Sequence, residues 1–253
     1  MKRLLIPAFA LFFIVGCAEQ DDSDYATDAT TDEAPETYDP DDTAMLRPDA
    51  LKPVNERLEY PLGWKVRLDV PDSDAVISAD TSSGTDVYLA SMTPGWHVTM
   101  GRPRAILYHP ASTAEGSYSA SATIHLIEPG HGNEGYGLIF GGQNLDDDSQ
   151  SYIYFLIRRS GDFLIKQRIG DDYETLSGWE ANEAIVPYTE ETSGTATNTL
   201  GVRVNDASIS FFVNDTEVHL MEKGDLQTDG IVGLRMNHTV NAHIESLDVE
   251  QES

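Results

Sequence analysis

The chain has a single cysteine in 253 residues, Cys17, so no intrachain disulfide can form and any folded domain must be held by core packing alone. It has no apolar run long enough to remain in a bilayer. The run from Leu4 to Val15 is interrupted by Pro7 and would rise only about 18 Å as a helix, against the roughly 30 Å of a membrane core. Cations are scarce, with 16 Lys and Arg against 43 Asp and Glu and a net charge of −27. That balance argues against nucleic acid and anionic lipid as partners and favours solubility. No segment of helical length carries apolar residues at i, i+3, i+4 and i+7. A Gly-x-Ser-x-Gly elbow, a Walker loop and a dinucleotide glycine pattern are all missing, which removes the commonest hydrolase and nucleotide-binding readings.

The first segment, residues 1–16, has Lys2 and Arg3 ahead of the short apolar run, the layout of an export signal. It ends in Ile14-Val15-Gly16-Cys17, which resembles a lipobox, and Cys17 stands where a lipid would be attached. More than one acyl chain on that residue would anchor the chain stably, giving membrane association through lipid only. Ala18 follows the cysteine without an Asp retention signal, so the expected place is the cell envelope, at the outer membrane. Residues 17–50 form an acidic tether: from Ala18 to Ala50 there are twelve Asp and Glu against Arg47 alone. A stretch so poor in large apolar residues cannot offset its chain entropy by burial, so it is expected to act as a disordered spacer. The signal contributes +2 and the tether −11 to the net charge, leaving −18 for residues 51–253, enough chain for one domain.

Within that domain the apolar residues alternate. Tyr118, Ala120, Ala122, Ile124 and Leu126 fall on one face of a strand; Leu200, Val202 and Val204 do the same, followed across Asn205-Asp206 by Ile209, Phe211 and Val213. Asn214-Asp215 is a second turn, leading to Val218 and Leu220. Near the end, Ala242 and Ile244 change phase to Leu247 and Val249, which predicts a bulge. Many strands with short turns and no helices predict a sandwich or a barrel.

One hairpin can be registered from the sequence. A two-residue turn at Ser160-Gly161 would mix apolar and charged side chains on both faces. A three-residue loop, Arg159-Ser160-Gly161 with a left-handed Gly161, pairs Arg158 with Asp162 and sets Ile153, Phe155 and Ile157 opposite Gln167, Ile165 and Phe163. The other face then carries Tyr152, Tyr154, Leu156, Arg158, Leu164, Lys166 and Arg168. Two tyrosines and three cations gathered in a strongly acidic domain are either ion-paired to neighbouring strands or a ligand face. Tyr152, Tyr154, Arg158, Lys166 and Arg168 are therefore the candidate ligand-binding residues: aromatic rings stack on sugars, and cationic donors bind hydroxyls or carboxylates.

Gly135-Tyr136-Gly137-Leu138-Ile139-Phe140-Gly141 and Tyr152–Ile157, with Phe211-Phe212-Val213-Asn214 and Gly230-Ile231-Val232-Gly233-Leu234, resemble the central strands of concanavalin A-like jelly rolls. The resemblance runs from about Asp69 to Val249 and is nearest to the bacterial 3-keto-disaccharide hydrolase family. It implies an all-β, two-sheet antiparallel jelly-roll sandwich. That fold hosts lectins, hydrolases and inert modules alike, so the leading expectation is glycan or glycoconjugate binding without catalysis. A glycoside hydrolase is the alternative, and a structural module without a small ligand the third reading.

No catalytic residue can be named. Glucanases of this fold carry Glu-x-Asp-x-(x)-Glu on one strand. Here Glu245, Asp248 and Glu250 come nearest, with Glu245 and Asp248 on opposite faces unless the bulge intervenes. Asp146, Asp147 and Asp148 share a loop and are the candidate metal ligands, making calcium the one cofactor to consider, although their spacing fits no defined calcium loop. The histidines (His97, His109, His125, His131, His219, His238 and His243) show no close pair at zinc spacing. The anchor is directly testable: Cys17→Ser should leave the chain exported but extractable without detergent, and membrane fractionation like the parent's would rule lipidation out.

Overall fold

The computed structural model describes residues 58–252, apart from 81–83, 130–131 and 193. The export signal, Cys17, the tether and His131 lie outside the described residues. Fifteen strands are described: β1 (Lys65–Leu68), β2 (Ile77–Ser78), β3 (Val87–Ser91), β4 (Trp96–Met100), β5 (Ala105–Ala114), β6 (Tyr118–Ile127), β7 (Gly135–Gln143), β8 (Ser151–Arg158), β9 (Asp162–Ile169), β10 (Asp172–Ala181), β11 (Thr195–Val204), β12 (Ser208–Val213), β13 (Thr216–Glu222), β14 (Gly230–Met236) and β15 (Asn241–Gln251). They form two sheets, a seven-stranded one ordered β1-β5-β14-β7-β8-β9-β10 and an eight-stranded one ordered β13-β12-β11-β6-β15-β4-β3-β2. Every pairing is antiparallel except the short β2–β3 contact.

The alternation seen in the sequence decides which side chains lie between the sheets. Tyr118, Ala120, Ala122, Ile124 and Leu126 of β6 face inward, as do Leu200, Val202 and Val204 of β11 and Ile209, Phe211 and Val213 of β12. They meet Leu138, Phe140, Ile153, Phe155, Phe163 and Leu234 from the seven-stranded sheet. Phe211 is a bridge across the layers, 5.2 Å from the Phe155 ring and 6.1 Å from Phe140, in tilted and edge-on contacts that aromatic pairs favour.

The β8–β9 hairpin has the three-residue loop. Gly161 sits at φ 91°, its amide donates to the Arg158 carbonyl at 3.0 Å, and Arg158 pairs with Asp162, Tyr154 with Lys166 and Tyr152 with Arg168. Asn214 and Asp215 form the two-residue β12–β13 turn with both φ values positive (50° and 65°), as the twist-matched hairpin turn requires. The predicted bulge in β15 lies between Ile244 and Ser246. Strand pairing is also irregular at two outer positions: β10 has two register shifts against β9, and β13 has one against β12.

The sequence pattern does not reveal what happens on the far side of the seven-stranded sheet. There, Ile106, Tyr108, Ile139, Leu145, Tyr152, Tyr154, Leu156 and Leu164 are all buried, forming a second apolar cluster outside the inter-sheet core. β7 and β8 are consequently buried on both faces.

Candidate functional site

Two outward faces hold the chemistry-bearing residues. On the seven-stranded sheet the structure brings together four of the five sequence-derived candidates and shows each to be buried: Tyr152 and Tyr154 at 1% exposure, Arg168 at 3% and Lys166 at 5%. This corrects the expectation of a solvent-facing patch, and the cause is the second apolar cluster packed among them.

At its centre is Asp69, just beyond β1, which the sequence reading did not single out. Arg235 of β14 grips it with two bonds, Nη1 to Oδ1 at 2.8 Å and Nη2 to Oδ2 at 2.6 Å. Arg168 of β9 donates to the same Oδ1 at 2.9 Å and caps the Gly170 carbonyl through Nε at 2.8 Å. Arg235 also donates to the Tyr152 hydroxyl at 3.1 Å and lies 4.9 Å over the Tyr154 ring, while Arg168 lies 5.0 Å over Tyr173. Burial alone would raise the Asp69 carboxyl; the charge and hydrogen bonds of Arg235, with the Arg168 and Arg104 charges, outweigh it and hold it below the usual carboxylate range. Arg158, at the other end of the hairpin, donates to Asp162 at 3.1 Å and stacks 4.3 Å over Trp179. Lys166 differs from both arginines in having no carboxylate partner among the described residues.

The aspartates of the 146–148 loop are spread over separate donors. Asp146 binds Lys65 at 2.5 Å and the Tyr108 hydroxyl at 2.7 Å, Asp147 accepts from the Ser149 amide and hydroxyl at 2.7 Å, and Asp148 lies 3.6 Å from Arg67. Among the described residues no group of three His, Cys, Asp or Glu is placed to hold a metal ion.

The eight-stranded sheet's outer face contains two features that sequence spacing hid. One is a row of histidines: His97 on β4, His243 on β15 and His125 on β6 are successive cross-strand partners on that face. The His125 and His243 rings are 5.6 Å apart, and His125 also contacts Glu245 at 2.9 Å and Thr197 at 2.7 Å. Burial and the neighbouring His125 push the His243 imidazole below its ordinary pKa, against the pull of Glu245. These three residues are far apart in the chain, and only the strand order brings them together.

The other feature is an open groove of about 280 Å³. One rung of the sheet runs Phe212–Gly201–Ser121–Asp248 across β12, β11, β6 and β15; the neighbouring rung places Arg203 beside Ser119 and Glu250. The small residues make a floor between an aromatic and guanidinium wall and a carboxylate wall. Arg203 lies 5.2 Å over the Phe212 ring and 3.7 Å from Glu252. The β15 bulge has a consequence for the acids: Leu247 and Val249 pack inward while Glu245, Asp248 and Glu250 are exposed, so the phase change brings Asp248 and Glu250 to the groove.

These two sheets define a concanavalin A-like jelly-roll sandwich. No family model matches the chain, and no curated protein does. Among solved structures it is similar to the carbohydrate-binding module CBM66 from Bacillus subtilis, with a TM-score of 0.52 and 10% identity over 78% of this chain and 99% of that one. A protein of unknown function with a galectin-like fold from Bacillus subtilis is similar at a TM-score of 0.53 and 12% identity, over 74% of this chain and 89% of that one. At such identities the likeness is one of fold.

Two stability predictions follow from these contacts. Asp69→Ala leaves two buried guanidiniums without their carboxylate and should cost about 3–5 kcal/mol in urea unfolding. Because the Asp69 pKa is depressed, its stabilisation is complete above the unfolded value and is lost as pH falls below about 4. His243, also depressed, makes the folded state resist protonation that the unfolded chain accepts. Stability should therefore decline as pH drops below about 6.5, and His243→Gln should flatten that decline in melting curves taken from pH 7 to 5.

Proposed function

We propose that the chain is an envelope-anchored, non-catalytic glycan-binding protein, attached to the outer membrane by lipid on Cys17 and raised from it by the acidic segment. The observation that carries this reading is an open polar groove, walled by an aromatic ring, a guanidinium and carboxylates, on a jelly-roll sandwich. Rings stack on sugar faces while charged and hydroxyl groups bond the sugar's hydroxyls. The likeness to a carbohydrate-binding module supports the same class of ligand. The negative charge of the domain favours neither nucleic acid nor an anionic membrane surface.

A second reading, glycoside hydrolysis of the 3-keto-disaccharide type, has Asp248 and Glu250 in its favour, alternate residues of one strand lining one groove. The two readings separate in one experiment. The full chain is applied to a glycan array, and the glycans it retains are then incubated with it and analysed for released sugar. Retention without release is the expected outcome. Release would establish the hydrolase, and an empty array would exclude glycan binding.

A further inference from the structure

We infer that the groove on the eight-stranded sheet is the glycan site and that it selects neutral chains over those bearing carboxylate or sulfate groups. This inference rests on the glycan-binding reading and gives it a location and a ligand class.

Access comes first. On the opposite sheet Tyr152, Tyr154, Lys166 and Arg168 are at most 5% exposed, and Arg168 is tied with Arg235 to Asp69. The groove is open, and Arg203 exposes 57% of its side chain. Its shape follows from the strand order: β12 and β15 flank β11 and β6, so the two walls stand three inter-strand spacings apart, roughly 14 Å. Gly201 and Ser121 keep the floor low between Phe212 and Asp248. A sugar ring can lie flat against Phe212 while a neighbouring sugar of the same chain offers its hydroxyls to the opposite wall.

Charge then selects the ligand. Asp215, Asp248 and Glu250 line the groove against Arg203 alone, and Glu252 already lies 3.7 Å from that guanidinium. Carboxylates accept hydrogen bonds, and sugar hydroxyls donate them. A uronate or sulfate would enter a groove with surplus negative charge, in a domain whose net charge is also strongly negative, and meet like-charge repulsion.

Gly201 allows a clean test. A Cβ built there meets Phe212 Cβ at 3.5 Å and the Ala120 carbonyl at 3.9 Å, ordinary contacts, and the backbone is not in the left-handed region. Gly201→Leu should therefore fill the floor without disturbing the fold. The full chain is run in affinity gels containing laminarin, konjac glucomannan, soluble starch or polygalacturonate, with melting curves for each variant. The expected result is retardation by at least one neutral polymer, at least tenfold weaker in Gly201→Leu and in Phe212→Ala, and none by polygalacturonate. Asp248→Asn should weaken the neutral polymer severalfold with the melting temperature unchanged, and it provides a second reading should Gly201→Leu fail to fold. Neutral-polymer binding that survives these groove substitutions would overturn the location yet leave glycan binding standing. Preference for polygalacturonate would overturn the charge selection. Binding to no glycan, here or on the array, would overturn the function itself.

Discussion

The seven-stranded sheet depends on one carboxylate. Asp69, beyond the end of β1, is held by guanidiniums from β14, which one strand separates from β1 in the sheet order, and from β9, which two further strands separate from β14. A buried ion cluster of this kind is a weak source of net stability, because desolvating the charges consumes most of what their attraction returns. What it fixes is position. The segment leaving β1 satisfies both arginines in one placement only, and Tyr152 and Tyr154 are aligned by the same Arg235. With no disulfide available, directional contacts of this sort supply a constraint that apolar packing, which is non-directional, does not.

The sandwich was legible from the sequence wherever a strand had one apolar and one polar face. β6, β11 and β12 alternate cleanly, and the β8–β9 register followed from requiring Ile153, Phe155 and Ile157 to share a face with their partners. The β15 phase change read correctly as a bulge for the same reason. Legibility ended where both faces are buried. Tyr152, Lys166 and Arg168 look like surface residues in a period-two pattern, yet Leu156, Leu164, Ile139 and Ile106 surround them with a second apolar layer. Alternation assigns a residue to a face and says nothing about what covers that face.

The sites were less legible than the fold because they are properties of strand order. Asp69 is one acid among many in an acidic chain, and only the approach of β9 and β14 distinguishes it. The histidine row and the groove each draw on three or four strands far apart in sequence, so no spacing motif could have indicated them. The Glu245–Glu250 run is the partial exception, since its apparent misphasing is removed by a bulge that could be predicted nearby.

The irregular outer strands have a consequence for how copies of this chain behave beside one another. β10 is an outermost strand carrying two register shifts together with Asp172, Glu174 and Glu180; β13, outermost in the other sheet, carries a shift with Glu217 and Glu222. An outermost strand presents unpaired amides and carbonyls to which a second copy could add a strand, and bulges and charges are the usual means of preventing it. Along β10 and β13 a neighbour's strand would meet a kinked ladder and like charge. Strand addition between crowded copies is thus opposed along these two edges of the sandwich.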